Sequence, residues 1–356
     1  MKKVRKMKTI QWTVDSNVDN SASYPQIQEA ARLLAAGEAV AFPTETVYGL
    51  GADATNDQAV AKIFEAKGRP ADNPLIVHIA GRAMLDKLAS EVPEQAERLI
   101  SAFWPGPLTI ILRRKAGVLS DFVTAGLDSV GIRMPDHPVA LALIEASGLP
   151  IAAPSANRSG KPSPTAARHV LDDLEGRIGG IVDGGETGVG VESTVVDCTG
   201  DIPVILRPGG ITKEQLEKAA GRVEMDSALS GEGRPKAPGM KYTHYAPDAP
   251  LYLMSGTPGE IQEMVRKKRL AGQRVGVLAT EESAPLYDAD LIIPCGARQD
   301  LRTVAHSLYD TLRAFNEGDL DLIISEVFPS EGVGLAIMNR LEKASGGRHL
   351  RSEGKR

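Results

Sequence analysis

The sequence predicts a mixed α/β protein in two unequal parts. Three observations carry this. Short apolar runs alternate with stretches of helical spacing, which is the pattern of a sheet flanked by helices. Three short strands follow one another late in the first part, which adds antiparallel pairing. Near Gly221 the pattern breaks into SALSGEGRPKAPGMKYTHYAPDAP, rich in Gly, Pro and charge, and then restarts. The segments expected are 23–221, a linker over 222–249, and a smaller unit over 250–350.

In chain order, Tyr24 to Gly37 has helical spacing and ends at a glycine. AVAFPTETVYGLG reads as a strand and a tight loop. NDQAVAKIFEAKG is a helix with Asn56 as N-cap and Gly68 as stop. LIVHI is a strand, PEQAERLISAF a helix, and LTIIL and VGIRMP strands. HPVALALIEASG is a helix and PIAAPSA a strand. GGIVDGG, ESTVVDCT and PVILRPGG are three short strands with glycine turns. Beyond the linker come APLYLMS (strand), PGEIQEMVRKKRLAG (helix), RVGVLA and DLIIPCG (strands), LRTVAHSLYDTLRAFNEG (helix), LDLIISEVF (strand) and GLAIMNRLEKAS (helix).

The totals narrow the function. The chain has 356 residues, 42% of them hydrophobic, which supports real cores. A net charge of −5 and only 4% aromatics disfavour nucleic acid as the main ligand. Cys198 and Cys295 show no metal-ligand spacing and read as reduced, buried thiols. No apolar run approaches the roughly 20 residues that span a bilayer. The basic start MKKVRKMK lacks the apolar core of a signal peptide, so a cytoplasmic protein is expected, with this end and the tail GGRHLRSEGKR frayed.

Several clusters carry possible chemistry. Lys67 and Arg69 sit two apart after a helix, and Pro70 biases Arg69 to extended backbone. In an extended chain both cations face one side, where a polyphosphate could lie. On these two residues alone, a solvated pair at a helix C-terminus is the readier account. PSANRSGKPSPT follows a strand and places Ser155 and Asn157 on one face. It is no P-loop, because Pro162 follows Lys161 where Ser or Thr is needed. DGGETGVGVESTVVD brings glycines and Ser193 to a strand entrance, a hairpin or a site. Arg207 ends the strand in ILRPGG, a ligand contact or a surface ion pair. PTETVYGLGADA contains G-x-G-x-x-A without the strand–helix setting of a dinucleotide fold, yet it is unusually polar for a strand exit. His78 by itself reads as a core or rim histidine. No H-E-x-x-H, CxxC or G-x-S-x-G occurs, so neither a covalent nucleophile nor a structural zinc site is expected.

Taken together and in order, TETVYGL, KGRP with NPL, VGIRMP, PSAN-SG-PSPT, ESTVVD and LRPG resemble the threonylcarbamoyl-AMP synthases, whose catalytic part is the YrdC-like domain. The linker PGMKYTHYAP and the closing GLAIMNRLEKAS resemble the two-domain form of that family. The resemblance implies a twisted mixed sheet with a concave active-site cleft, plus a smaller Rossmann-like α/β domain. It implies synthesis of L-threonylcarbamoyladenylate from L-threonine, bicarbonate or CO2, and ATP with Mg2+, releasing pyrophosphate. Downstream proteins would then modify an adenosine beside the tRNA anticodon.

It also implies roles. Lys67 and Arg69 would grip the ATP phosphates, with Asn73, Ser129, Ser155, Asn157, Ser163 and Arg207 as further nucleotide contacts. Thr46, His78, Arg133, the Ala153 backbone and Ser193 would hold threonine, with Arg133 on its carboxylate. His244 and Tyr245 would come from the linker as a lid over the nucleotide. The metal would rest on phosphates and water, with no protein ligand. The main alternative is an RNA-binding module of the same fold, which net charge and scarce aromatics disfavour; a weak direct tRNA contact is compatible with either. Hydrogenase-maturation enzymes share the domain but should carry acylphosphatase or zinc-finger segments, and this chain has two cysteines and no finger.

Overall fold

The computed structural model describes residues 8–15, 24–227 and 245–351. The chain divides into two units: the first holds residues 1–159, 163–188 and 192–241, the second holds 160–162, 189–191 and 242–356.

The first unit runs β1 (Ile10–Thr13), α1 (Pro25–Ala35), β2 (Val40–Phe42), β3 (Gly49–Asp53), α2 (Asp57–Lys67), β4 (Ile76–His78), α3 (Arg82–Leu88) and α4 (Glu94–Phe103). It continues with β5 (Leu108–Arg113), α5 (Asp121–Thr124), β6 (Ser129–Arg133), α6 (Pro138–Ser147), β7 (Ile151–Ala152) and α7 (Ala167–Leu174). β8 (Gly180–Asp183), β9 (Thr194–Asp197), β10 (Val204–Arg207), α8 (Lys213–Ala220) and β11 (Glu224–Met225) complete it. The strands form one twisted mixed sheet in the order β1-β8-β2-β3-β7-β4-β6-β5-β9-β10-β11. The expected antiparallel pairing occurs between β9 and β10.

Alternation along the strands feeds two separate cores. In β2, Val40 and Phe42 join α1 and α6, while Ala41 joins the larger core with α2, α4 and α7. The same alternation operates further along the sheet. Val77, Ile110, Ile132 and Val196 point into the larger core. Their neighbours Ile76, Ile111 and Val195 belong to a small satellite cluster on the opposite face. That face carries the candidate site.

The caps read from sequence are present. Asn56 Oδ1 accepts from the Gln58 and Ala59 amides, and Gly68 closes α2 in the left-handed region at φ 62. Elements with weak signals were not expected: β1, α3, α5, α7, α8, β11 and β3. β3 is glycine-rich, so its strand propensity is low. It forms because Gly51 lets the backbone pack directly on Phe42 and Ile151, where a Cβ would come within 2.7 Å of both.

The second unit runs β12 (Leu251–Met254), α9 (Pro258–Leu270), β13 (Val275–Ala279), β14 (Leu291–Pro294), α10 (Leu301–Ala314), β15 (Leu322–Glu326), α11 (Gly332–Ser345) and β16 (His349–Leu350). Its sheet has the order β14-β13-β15-β12-β16 and every pairing is parallel, in the Rossmann manner. The tail was expected to fray. Instead His349 and Leu350 pair with Leu253 and Met254, which gives the edge of β12 its partner, while residues 352–356 and the first seven residues of the basic start lie outside the described residues. Cys198 and Cys295 are buried, one in each unit, and burial pushes both thiols up to about 12. Among the described residues no helix is long and apolar enough to cross a membrane.

Candidate active site

The site lies on the face of β4, β6, β5 and β9 that the larger core leaves uncovered. Side chains two apart on a strand share a face. In β6 this sets Ser129, Gly131 and Arg133 together, and in β4 Ile76 and His78. In β5 it sets Thr109 beside Ile111, and at β9 it sets Ser193 beside Val195. Pro74, Ile76, Thr109, Ser129, Gly131 and Val195 line a recess there.

His78 and Arg133 stand opposite one another in the parallel register of β4 and β6. Arg133 Nη1 donates to Thr46 Oγ1 at 2.9 Å and Nε donates to the Gly106 carbonyl at 3.3 Å. Thr46 is buried and shares its hydroxyl with Thr44 at 2.9 Å. Arg133 Nη2 lies 2.6 Å from Glu45 Oε2, an ion pair in which both side chains are almost wholly buried. Burial, and then the Arg133 charge, pull His78 down to about 3, so the imidazole is neutral near pH 7. His78 Nδ1 has no hydrogen-bond partner among the described residues. The Ala153 amide donates to the Ile76 carbonyl, so the backbone group Ala153 can offer a ligand is its own carbonyl.

Lys67 and Arg69 are not a solvated pair; they are 3% and 8% exposed. The backbone between them is left-handed rather than extended, because Gly68 caps the helix. The expectation that i and i+2 alternation aligns them is therefore corrected. Lys67 Nζ donates to the carbonyls of Ser155 at 2.5 Å and Asn157 at 2.6 Å. The Ser159 amide returns a bond to the Lys67 carbonyl at 2.9 Å. Thus the end of α2 and the loop after β7 are stitched together. Within that loop Ser155 Oγ donates to Asn157 Oδ1 at 2.5 Å. Arg69 Nη2 reaches the carbonyls of Asn73 at 3.4 Å and Pro74 at 3.3 Å, at the rim of the recess.

Arg207 is aimed by a β-bulge: the β9–β10 register shifts between Ile205 and Arg207. Its guanidinium contacts the Ser193 carbonyl at 3.0 Å and the Ser193 hydroxyl at 3.2 Å, and that hydroxyl meets Thr109 at 2.8 Å. Gly209 makes this possible, since a Cβ there would sit 2.3 Å from the Glu192 carbonyl oxygen. Ser163 Oγ donates to Glu192 Oε1 at 2.6 Å, beside Ser193.

Most of the expected site residues therefore fall into linked groups in the first unit. Tyr245 is placed in the second unit: its ring centroid lies 5.1 Å from that of Tyr309, with Arg340 Cζ 5.8 Å away. His244 lies outside the described residues. Glu45 was not expected; its only signal in the sequence is a carboxylate in an unusually polar strand exit.

This face gathers buried cations and hydroxyls, and by class the chain is a nucleotidyltransferase. Residues 32–209 match the Sua5, YciO and YrdC family described as "Telomere recombination", and residues 211–346 match "Threonylcarbamoyl-AMP synthase, C-terminal domain". The threonylcarbamoyl-AMP synthase of Bacillus subtilis is 61% identical, over 97% of this chain and 100% of that one. That of Pyrococcus abyssi is 48% identical, over 95% and 99%. A crystal structure of P. abyssi Sua5 complexed with L-threonine superposes with a TM-score of 0.89 at 47% identity, covering 96% of this chain and 99% of that one. The chain belongs to the threonylcarbamoyl-AMP synthase family.

Proposed function

We propose that the uncovered sheet face joins L-threonine, bicarbonate or CO2, and ATP into L-threonylcarbamoyladenylate and pyrophosphate. The observation that carries this reading is the pairing of buried Arg133 with neutral His78, each two residues along its strand from Gly131 and Ile76 of the recess. Arg133, with Thr46, takes the threonine carboxylate. His78, the Ala153 carbonyl and Ser193 complete that pocket. Lys67, Arg69 and Asn73 take the phosphates, and Ser129, Ser155, Asn157, Ser163 and Arg207 the rest of the nucleotide.

In the first step the threonine ammonium loses a proton to solvent, the neutral nitrogen forms a bond to the carbon of CO2 as one C–O π bond opens onto oxygen, and a second proton leaves to solvent, producing a carbamate. In the second, a carbamate oxygen forms a bond to the α-phosphorus while the bond to the β-phosphate bridging oxygen breaks, and pyrophosphate leaves. No enzyme nucleophile is required. The chain contributes position and charge, and well-aligned reactants can lower such a barrier by roughly 7–11 kcal/mol. Among the described residues no group of three or more His, Cys, Asp or Glu could hold a metal. Neutral donors such as Ser155 and Asn157 suit a Mg2+ that arrives with ATP, held by phosphate oxygens and water and offsetting their charge. The product's mixed anhydride makes it an acyl donor for proteins that modify the adenosine beside the tRNA anticodon.

The test is pyrophosphate release from purified protein with Mg2+ and ATP, omitting threonine or bicarbonate in turn. Release that needs both is expected. Release indifferent to threonine, or none while RNA binds tightly, would turn the reading toward an RNA-binding module.

A further inference from the structure

Three polar atoms beside Thr46 are buried without an aligned hydrogen-bond partner among the described residues: Glu45 Oε1, Glu45 Oε2 and Arg133 Nη2. Glu45 and Arg133 neutralise one another at 2.6 Å, but the angles are poor for a hydrogen bond. The carboxylate is therefore charge-paired and still short of donors. Leaving such oxygens unfilled is costly, and structures seldom retain them without a use.

Glu45 is not needed to position Arg133. The guanidinium is already held through Nη1 by the Thr46 hydroxyl and through Nε by the Gly106 carbonyl. The carboxylate is thus an additional group in the pocket, with acceptors to spare, next to the cation assigned to the substrate carboxylate.

An α-amino acid carries an ammonium and a carboxylate on one carbon. Its complement is a cation and an anion in direct contact, which is what Arg133 and Glu45 form. This rests on the reading that Arg133 takes the threonine carboxylate. We propose that Glu45 receives the α-amino group of the amino-acid substrate. The Glu45–Arg133 pair would then select a zwitterion over the matching 2-hydroxy acid, and would fix the nitrogen that is to meet CO2. A hydroxy acid offers one donor where the ammonium offers three and brings no charge to match the carboxylate.

Calorimetric titration tests this with L-threonine and with 2,3-dihydroxybutanoic acid, which replaces the amine by a hydroxyl. The proteins are the wild type, Glu45→Gln and Arg133→Lys, each first checked for an intact thermal melt. Glu45→Gln keeps the volume and removes the charge. Its threonine affinity is expected to fall by about 10- to 100-fold, the range for a hydrogen bond to a charged group. Hydroxy-acid affinity should hold or rise, so that discrimination collapses, while KM for ATP stays unchanged. Equal or tighter threonine binding by Glu45→Gln would overturn the proposal, and tighter binding would mark Glu45 as a competitor for Arg133. Loss of binding in Arg133→Lys with none in Glu45→Gln would sink only the role of Glu45. Threonine binding unaffected by Arg133→Lys would sink the pocket reading itself.

Discussion

His78 and Arg133 face each other across adjacent parallel strands, and the pair places a neutral imidazole beside a permanent cation. The arrangement favours a ligand that brings a negative charge for one and a hydrogen-bond donor or acceptor for the other. It also has a signature in stability. The folded value of His78, about 3, lies below the ordinary value near 6.5. Above pH 6.5 both folded and unfolded chains are neutral there, and the residue costs nothing. Below it the unfolded chain takes up a proton that the folded chain refuses, so stability falls. The slope should approach about 1.4 kcal/mol per pH unit between pH 6.5 and 3. Denaturant unfolding at stepped pH, for wild type and His78→Gln, should show this part of the slope only in the wild type.

Lys67→Met should reduce pyrophosphate release by about a hundredfold or more, the scale for losing one charge-stabilising donor. It should also cost roughly 1–3 kcal/mol of stability, because the Ser155 and Asn157 carbonyls lose their donor. Steady-state assay paired with thermal unfolding separates the two effects. Full turnover in this variant would remove Lys67 from the phosphate grip.

Gly131 sits on the floor of the recess, and a Cβ there would lie 3.2 Å from Thr109 Cγ2. Gly131→Val should therefore fill the recess and raise KM for ATP by about tenfold or more, on the scale of binding differences near 1.4 kcal/mol. The KM for threonine should change less. A KM for ATP equal to the wild type's would show that the nucleotide does not use this recess.

Gly209→Ala should be severe for a different reason. The new methyl would meet the backbone of Glu192 to Thr194 at 2.3–2.4 Å, so the segment bearing Ser193 and the end of β10 bearing Arg207 must separate. Overpacking of this kind costs about 1–3 kcal/mol. Activity should fall further than stability, which parallel melting and turnover measurements would reveal.

Much of the fold was legible, for local reasons. Helix α2 was readable because Asn56 and Gly68 mark its ends by their own chemistry. β13 was readable because a parallel strand buried on both faces is apolar throughout. β3 was not readable, since what makes GLGAD a strand is the contact of Gly51 with Phe42 and Ile151. The burial of Lys67 and Arg69 was not readable either. It depends on carbonyls of the Ser155–Asn157 loop and of Asn73 and Pro74, not on the run KGR itself. Glu45 stood only as part of a polar strand exit, with no role, because its partner Arg133 lies far along the chain.

Because Ser129, Gly131 and Arg133 share a face only through the two-residue repeat of β6, the site is encoded by counting as much as by identity. Replacing Val130 or Ile132 with another apolar residue would leave the count intact. Deleting one residue within Val130–Ile132 would not: Arg133 would be turned into the apolar core, or Ser129 would. Descendants of this gene should therefore tolerate length changes in the loops between strands and reject them inside β4, β5 and β6, even where Ser129, Gly131 and Arg133 all survive.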